Sequence, residues 1–143
     1  MKRVLFLCTG NSCRSQMAEG WARYLHGDSL DVYSAGTASH GVDHRAVRAM
    51  AEEGIDISGQ SSTDVGEVLD VPFDLVVTVC DSARESCPVF PGKGRVVHRS
   101  FDDPPYLAAN DTSEEQAMVH YRRVRDEIRD FVEELPRLFD RRE

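Results

Sequence analysis

The chain has 143 residues, enough for one domain with a buried core. Its 17 basic and 25 acidic residues leave a formal charge of −8, which disfavours nucleic acid and anionic membrane as partners, so any anion it takes must be attracted locally. The apolar run at the N-terminus is too short for a signal sequence or a membrane span, so a cytoplasmic, reducing setting is expected, where four cysteines point to catalysis, redox chemistry or metal more than to a disulfide framework.

Strand and helix patterns alternate without repeat, low-complexity stretch or linker, so residues 1–143 are expected to form a single domain. Arg3 to Leu7 reads as the first strand. From Gln16 to His26, Met17, Trp21 and Leu25 with Ala18 and Ala22 make one apolar stripe that ends at Gly27. Leu30 to Ser34 reads as the second strand. Val47, Met50 and Ala51 form a second helical stripe, opened by Asp43 and closed by Gly54. Asp74 to Val79 is apolar enough to be a central, buried strand, and Arg95 to His98 is the fourth. Ser113 and Gln116 read as a capping box, followed by Ala117, Tyr121, Val124, Ile128, Phe131 and Leu135 at helical spacing until Pro136. This alternation predicts an α/β fold: one doubly wound domain with a four-stranded parallel sheet flanked by helices, right-handed crossovers and a ligand beyond the strand C-termini.

The segment Cys8-Thr9-Gly10-Asn11-Ser12-Cys13-Arg14-Ser15 lies at the first strand-to-helix turn. There, consecutive backbone N–H groups can surround a tetrahedral oxyanion while a guanidinium clamps it with a forked pair of hydrogen bonds. The same field stabilises a thiolate, so Cys8 is expected to have a depressed pKa and to attack the anion that the loop holds. A buried small hydrophobe is the plain alternative for Cys8, but it leaves Arg14 and the Gly-Asn turn without a purpose. Asn11 is expected at positive φ, Cys13 packed beneath the loop, and Ser15 either as a helix cap or as a donor within the site. Cys80 and Cys87 are open to three readings: buried apolar thiols, redox partners or zinc ligands. Their spacing and that of Cys8 to Cys13 differ from the short knuckles of common zinc sites. The polar stretch 81–86, with Pro88, Pro91 and Gly92 after it, should be exposed and easily rearranged. Asp102 and Asp103, before Pro104-Pro105, are surface carboxylates in a turn or a general acid. The five histidines show no ligand spacing, and none is assigned a catalytic role.

The loop Cys8 to Ser15, the Asp103-Pro104 pair and the strand order resemble the low-molecular-weight protein tyrosine phosphatase fold. A narrower resemblance spans nearly the whole chain. The run from Cys8 through Trp21, Tyr33-Ser34-Ala35-Gly36, Ile55-Asp56-Ile57-Ser58, Asp74 to Cys80, Cys87-Pro88 and Phe101-Asp102-Asp103-Pro104 resembles the thioredoxin-coupled arsenate reductases. The loop alone does not separate reductase from phosphatase; Cys80 and Cys87 do. The resemblance implies that Thr9, Gly10, Asn11, Ser12, Cys13 and Arg14 bind the oxyanion, that Cys8 is the nucleophile, that Ser15 donates to its thiolate and that Asp103 is the general acid. It further implies a Cys8–Cys80 disulfide passed on as Cys80–Cys87 and reduced by thioredoxin, with no tightly bound cofactor. Arsenate would be the substrate, phosphate and sulfate competing anions, and the protein a monomer. Some members hold potassium near residues matched here by Asn11, Glu19 and Ser34. Pro105-Tyr106 departs from the small residue common in reductases and is similar to the aromatic of the phosphatases. Two rival classes are a phosphomonoester hydrolase with passive Cys80 and Cys87, and a non-catalytic anion- or metal-binding module.

Overall fold

Four strands fall where the apolar runs put them, in a computed structural model that describes residues 1–92 and 94–140. They are β1 (Lys2–Cys8), β2 (Leu30–Gly36), β3 (Leu75–Thr78) and β4 (Arg95–His98), all parallel, in the order β2-β1-β3-β4. Val4 to Leu7 and Leu75 to Val77 are buried, as expected of inner strands of a parallel sheet covered on both faces. The chain leaves β1 for β2 on one side and comes back to β3 on the other. Strand order therefore reverses between β1 and β3, and the crevice for a ligand opens at their C-terminal ends. Cys8 is the last residue of β1, and Cys80 follows β3 by two residues.

The long helices follow their apolar stripes. Helix α1 (Arg14–His26) starts two residues earlier than the stripe indicates and packs against β2, α2 (His44–Ala51) and α5 (Glu114–Glu133). Met17, Ala22, Met50, Met118 and Ile128 are fully buried in that packing, each larger side chain contributing roughly 1.5–3 kcal/mol. Trp21 Nε1 donates to the Arg125 carbonyl at 3.1 Å. The buried Arg125 guanidinium donates in turn to the Ala49 carbonyl at 2.9 Å and to Glu52 at 3.0 Å, so no buried charge is left alone. Asp43 caps α2 by accepting from Arg45 N at 2.8 Å, and Gly54 takes φ 79° beyond its end. Ser113 caps α5 as expected, but the Gln116 side chain accepts from Thr112 N at 3.0 Å rather than from Ser113, so only half of the capping box forms.

Periodicity does not reveal a 3₁₀ turn at Val65–Val68 or three short helices: α3 (Asp81–Glu85), α4 (Pro104–Leu107) and α6 (Pro136–Asp140). Among the described residues, no helix is long and apolar enough to cross a membrane.

Candidate active site

Residues 8–14 wrap around a cavity of about 220 Å³ at the C-terminal end of β1. The loop carbonyls are all spent on the outside of the turn: Thr37 N donates to Cys8 O, Ala38 N to Thr9 O, His40 N to Gly10 O and Asp43 N to Ser12 O, at 2.9–3.2 Å. Asn11 is the hub. It is fully buried at φ 47°, its Oδ1 accepts from Thr63 N at 2.7 Å, and its Nδ2 donates to Ser15 Oγ at 2.8 Å and Ser34 Oγ at 2.9 Å. With the carbonyls turned out, the N–H groups of Gly10, Asn11, Ser12, Cys13 and Arg14 have no acceptor among the described residues. Five unpaired donors and a helix N-terminus form a positive concavity shaped for an anion.

Arg14 completes it. Its Nη1 donates to the Phe101 carbonyl at 2.9 Å, its Nη2 stands 3.7 Å from Asp103 Oδ1, and its buried Nε has no partner. A buried guanidinium N–H left unpaired beside five free amides is explained by an oxyanion that takes it. Of the two candidate carboxylates, Asp102 is turned away and paired with Arg123 at 3.0 Å, whereas Asp103 lines the cavity as the residue preceding α4. Of the two, it is Asp103 whose side chain borders the cavity.

Cys8 and Cys80 are both 4 % exposed, and each thiol acts on the titration of the other. Two such thiols share one proton readily and give up the second reluctantly. The sequence expectation of a low-pKa Cys8 is corrected here. Cys8 is pushed up, first by its hydrogen bond to Cys80 and then by burial, against the opposing pull of the Arg14 charge and the Thr9 N–H. Cys80 is pulled down to about 5, first by the proton that Cys8 donates, with burial opposing and Thr9, the Ala83 N–H and Arg14 assisting. Thr9 Oγ1 lies 3.4 Å from Cys80 Sγ, and Ala83 N donates to that sulfur at 3.4 Å, because Cys80 caps α3.

Cys13 is buried under the loop, with burial and the carboxylates of Asp43 and Asp103 pushing its thiol up. Ser15 Oγ accepts from Asn11, so its contact is with the loop hub, whereas the donor acting on Cys8 sulfur is the Thr9 N–H. Cys87 is not brought to the cradle. It is half-buried beyond α3, beside Phe73, Val76 and Phe90, and burial raises its thiol. Asn11, Ser34 and Glu19 do meet, but as a hydrogen-bonded chain: Asn11 donates to Ser34, Ser34 Oγ donates to Glu19 Oε1, and Glu19 Oε2 accepts from Arg23 at 2.8 Å. The Arg23 guanidinium answers the Glu19 charge and Asn11 Oδ1 is taken by Thr63, so these residues fit a potassium ion poorly and no step is routed through one. Among the described residues, no three His, Cys, Asp or Glu side chains stand together as a metal site.

Three contributors escape sequence reasoning. His40 borders the cavity, with its ring over Gly10, where a Cβ would lie 2.9 Å from His40 Cδ2. The Phe101 carbonyl orients Arg14. Gly36, opposite Cys8 in the register, lets the loop pass so closely that a Cβ would lie 2.5 Å from Thr9 O and 2.8 Å from Asn11 N. Local sequence carries no sign of these contacts, although Gly36 and Phe101 stand in motifs that the resemblance picks out.

The model of the low molecular weight phosphotyrosine protein phosphatase family matches residues 3–142. The arsenate reductase of Halalkalibacterium halodurans is 54% identical over 127 residues, 89% of each chain, and that of Bacillus subtilis is 50% identical over the same span. A solved arsenate reductase in the phosphate-binding state superposes with a TM-score of 0.76 at 33% identity, covering 97% of this chain and 99% of that one. The cradle closed by Arg14, the second thiol beside the first and this similarity over nearly the whole length agree: the chain belongs to the low molecular weight phosphotyrosine protein phosphatase family, and within it stands with the arsenate reductases.

Proposed function

We propose that this chain reduces arsenate to arsenite, with Cys8 as nucleophile and Cys80 and Cys87 as the source of two electrons. The observation that carries the proposal is the set of unpaired N–H groups around Cys8, with a second thiol, that of Cys80, beside it at 3.4 Å from Thr9 Oγ1. Five backbone donors and Arg14 hold the three equatorial oxygens of a tetrahedral oxyanion, and Cys8 passes its proton to Cys80 as it attacks. An S–As bond forms, an As–O bond breaks, and Asp103 protonates the departing oxygen, which leaves as water. Cys80 gives its proton to the Asp103 carboxylate left by that step and attacks Cys8 Sγ as thiolate. The S–As bond breaks with its electron pair on arsenic, As(V) becomes As(III), and arsenite leaves behind a Cys8–Cys80 disulfide. Cys87 thiolate then attacks Cys80 Sγ and frees Cys8 as thiolate. An external dithiol, thioredoxin, reduces Cys80–Cys87; phosphate and sulfate compete for the cradle because they share the shape of arsenate.

A hydrolase reading has one observation in its favour, the exposed Tyr106 just beyond the cavity-lining Pro105, which could receive an aryl group. One assay separates the two. Purified protein is given arsenate, thioredoxin, thioredoxin reductase and NADPH, and p-nitrophenyl phosphate is tested beside it. Wild type is expected to oxidise NADPH with stoichiometric arsenite, Cys8→Ser to lose both activities, and Cys80→Ser and Cys87→Ser to lose arsenate turnover while keeping residual ester hydrolysis. Wild-type arsenate turnover by Cys87→Ser with thioredoxin would refute the three-cysteine relay.

A further inference from the structure

Helix α3 has to do two incompatible things in that relay. It holds Cys80 against Cys8 for the first disulfide, then must give way so that Cys80 can reach Cys87, since a disulfide requires Cα atoms roughly 4.4–6.8 Å apart. A helix of five residues has no stability of its own, so its anchors decide how long it stays. One anchor is apolar, the fully buried Ala83. The other is polar: His98 Nε2 lies 2.9 Å from Asp81 Oδ1, and Thr78 Oγ1 lies 2.8 Å from His98 Nδ1. Among the described residues, this is the one side-chain hydrogen bond that leads from α3 to the rest of the chain.

The chain of contacts is aimed. Thr78 is fully buried at the end of β3 and stands opposite His98 in the β3–β4 register, so the imidazole is held by the sheet. A carboxylate only accepts, so Nε2 carries the hydrogen that is given to Asp81. Asp81 is the residue after Cys80 and the first of α3, where a negative charge also suits the helix N-terminus. Its side chain is 80% exposed, and among the described residues only His98 fixes it.

We propose that His98 is a positioning residue for the reduction step: through Asp81 it latches α3 to the sheet and keeps Cys80 aligned on Cys8. The inference rests on the Cys8–Cys80–Cys87 relay. It predicts that the latch acts when Cys80 attacks the Cys8–arsenic adduct, and not when the cradle binds the anion. The step to read is therefore a single turnover without thioredoxin, following arsenite release after mixing with arsenate, beside protection of Cys8 from alkylation by inorganic phosphate as a control on the cradle.

An exposed pair of this kind supports a fall of about two- to fivefold in the arsenite rate for Asp81→Ala and for His98→Ala. The double variant should be no slower than either single one, because both changes open the same latch. Asp81→Asn keeps an acceptor for Nε2 and should recover most of the rate. Phosphate protection should match wild type throughout. Wild-type rates in the single variants, independent losses that multiply in the double variant, or weakened phosphate protection would each overturn the proposal. Arsenite release by Cys80→Ser at the wild-type rate would instead overturn the relay on which it stands.

Discussion

Two neighbouring sulfurs divide labour that a lone reactive cysteine would have to combine. A thiolate at Cys8 would repel an incoming arsenate dianion before any bond forms. With the Cys8 thiol raised and the Cys80 thiol lowered, the cradle receives the anion before Cys8 gives up its proton, and Cys80 is the group that takes that proton when attack begins. The sign of the effect is testable. In Cys80→Ser, Cys8 loses the anionic acceptor that is the largest cause of its raised pKa, while Arg14 and the Thr9 N–H still favour its thiolate. The pH midpoint for alkylation of Cys8 by iodoacetamide should therefore move down relative to wild type. In the reciprocal Cys8→Ser protein, Cys80 exchanges a thiol donor for a hydroxyl donor and should stay below the free-cysteine value of about 8.5. A Cys8 midpoint that is unchanged or raised in Cys80→Ser would mean that the two sulfurs do not share a proton.

At the scale of elements, the cradle is shaped by what meets its outer face. The end of β2 pairs Gly36 with Cys8, and the segment beyond it donates to loop carbonyls, so the N–H groups have only the inside to face. Gly36→Ala should break this, because the added Cβ meets backbone atoms that cannot rotate away. Overpacking of this kind costs about 1–3 kcal/mol, visible as a lower thermal midpoint. A larger effect is expected on phosphate affinity, since the displaced atoms belong to the anion loop itself; unchanged affinity with a lowered midpoint would show that the loop adapts. Legibility in the sequence follows the same logic. The strands, α1, α2 and α5 are long enough to show a period, α2 and α5 carry their own caps, and the cradle is one contiguous run, so both can be read locally. Helices α3, α4 and α6 span little more than one turn, so they show no period. His40, the Phe101 carbonyl and the His98–Asp81 contact arise only when distant segments fold together, and the location of a proton between Cys8 and Cys80 depends on how the ends of β1 and β3 are juxtaposed.

Over the whole molecule, stiffness and mobility are separated by the strand order. Cys8 sits at the end of β1, whose residues 4–7 are fully buried, and α1 locks its far side against α5, so the anion site is carried by the most enclosed part of the fold. The segment that leads from Cys80 to Cys87, the proposed electron-donating pair, runs to the margin: β4 is the half-exposed edge strand, Val89 is almost fully exposed, and α3 is a single short turn. Cys80 caps the start of α3 and Cys87 lies two residues beyond its end, so the helix stands between two thiols whose Cα atoms must come within roughly 4.4–6.8 Å, and α3 should unwind when that bond forms. Arg84 N and Ser86 N, which now donate to Cys80 O at 3.2 Å and Ser82 O at 3.1 Å, are the amides that report it. Cys8→Ser excludes the first disulfide, so oxidising that variant isolates the Cys80–Cys87 state. Hydrogen exchange should then show faster exchange at residues 83–86 than in the reduced variant, with β1, β3 and α5 unchanged, and the opened segment would carry the disulfide away from the cradle to where an external dithiol can reach it. Equal protection of residues 83–86 in the two states would leave α3 as a rigid element and require Cys87 to move to Cys80 instead.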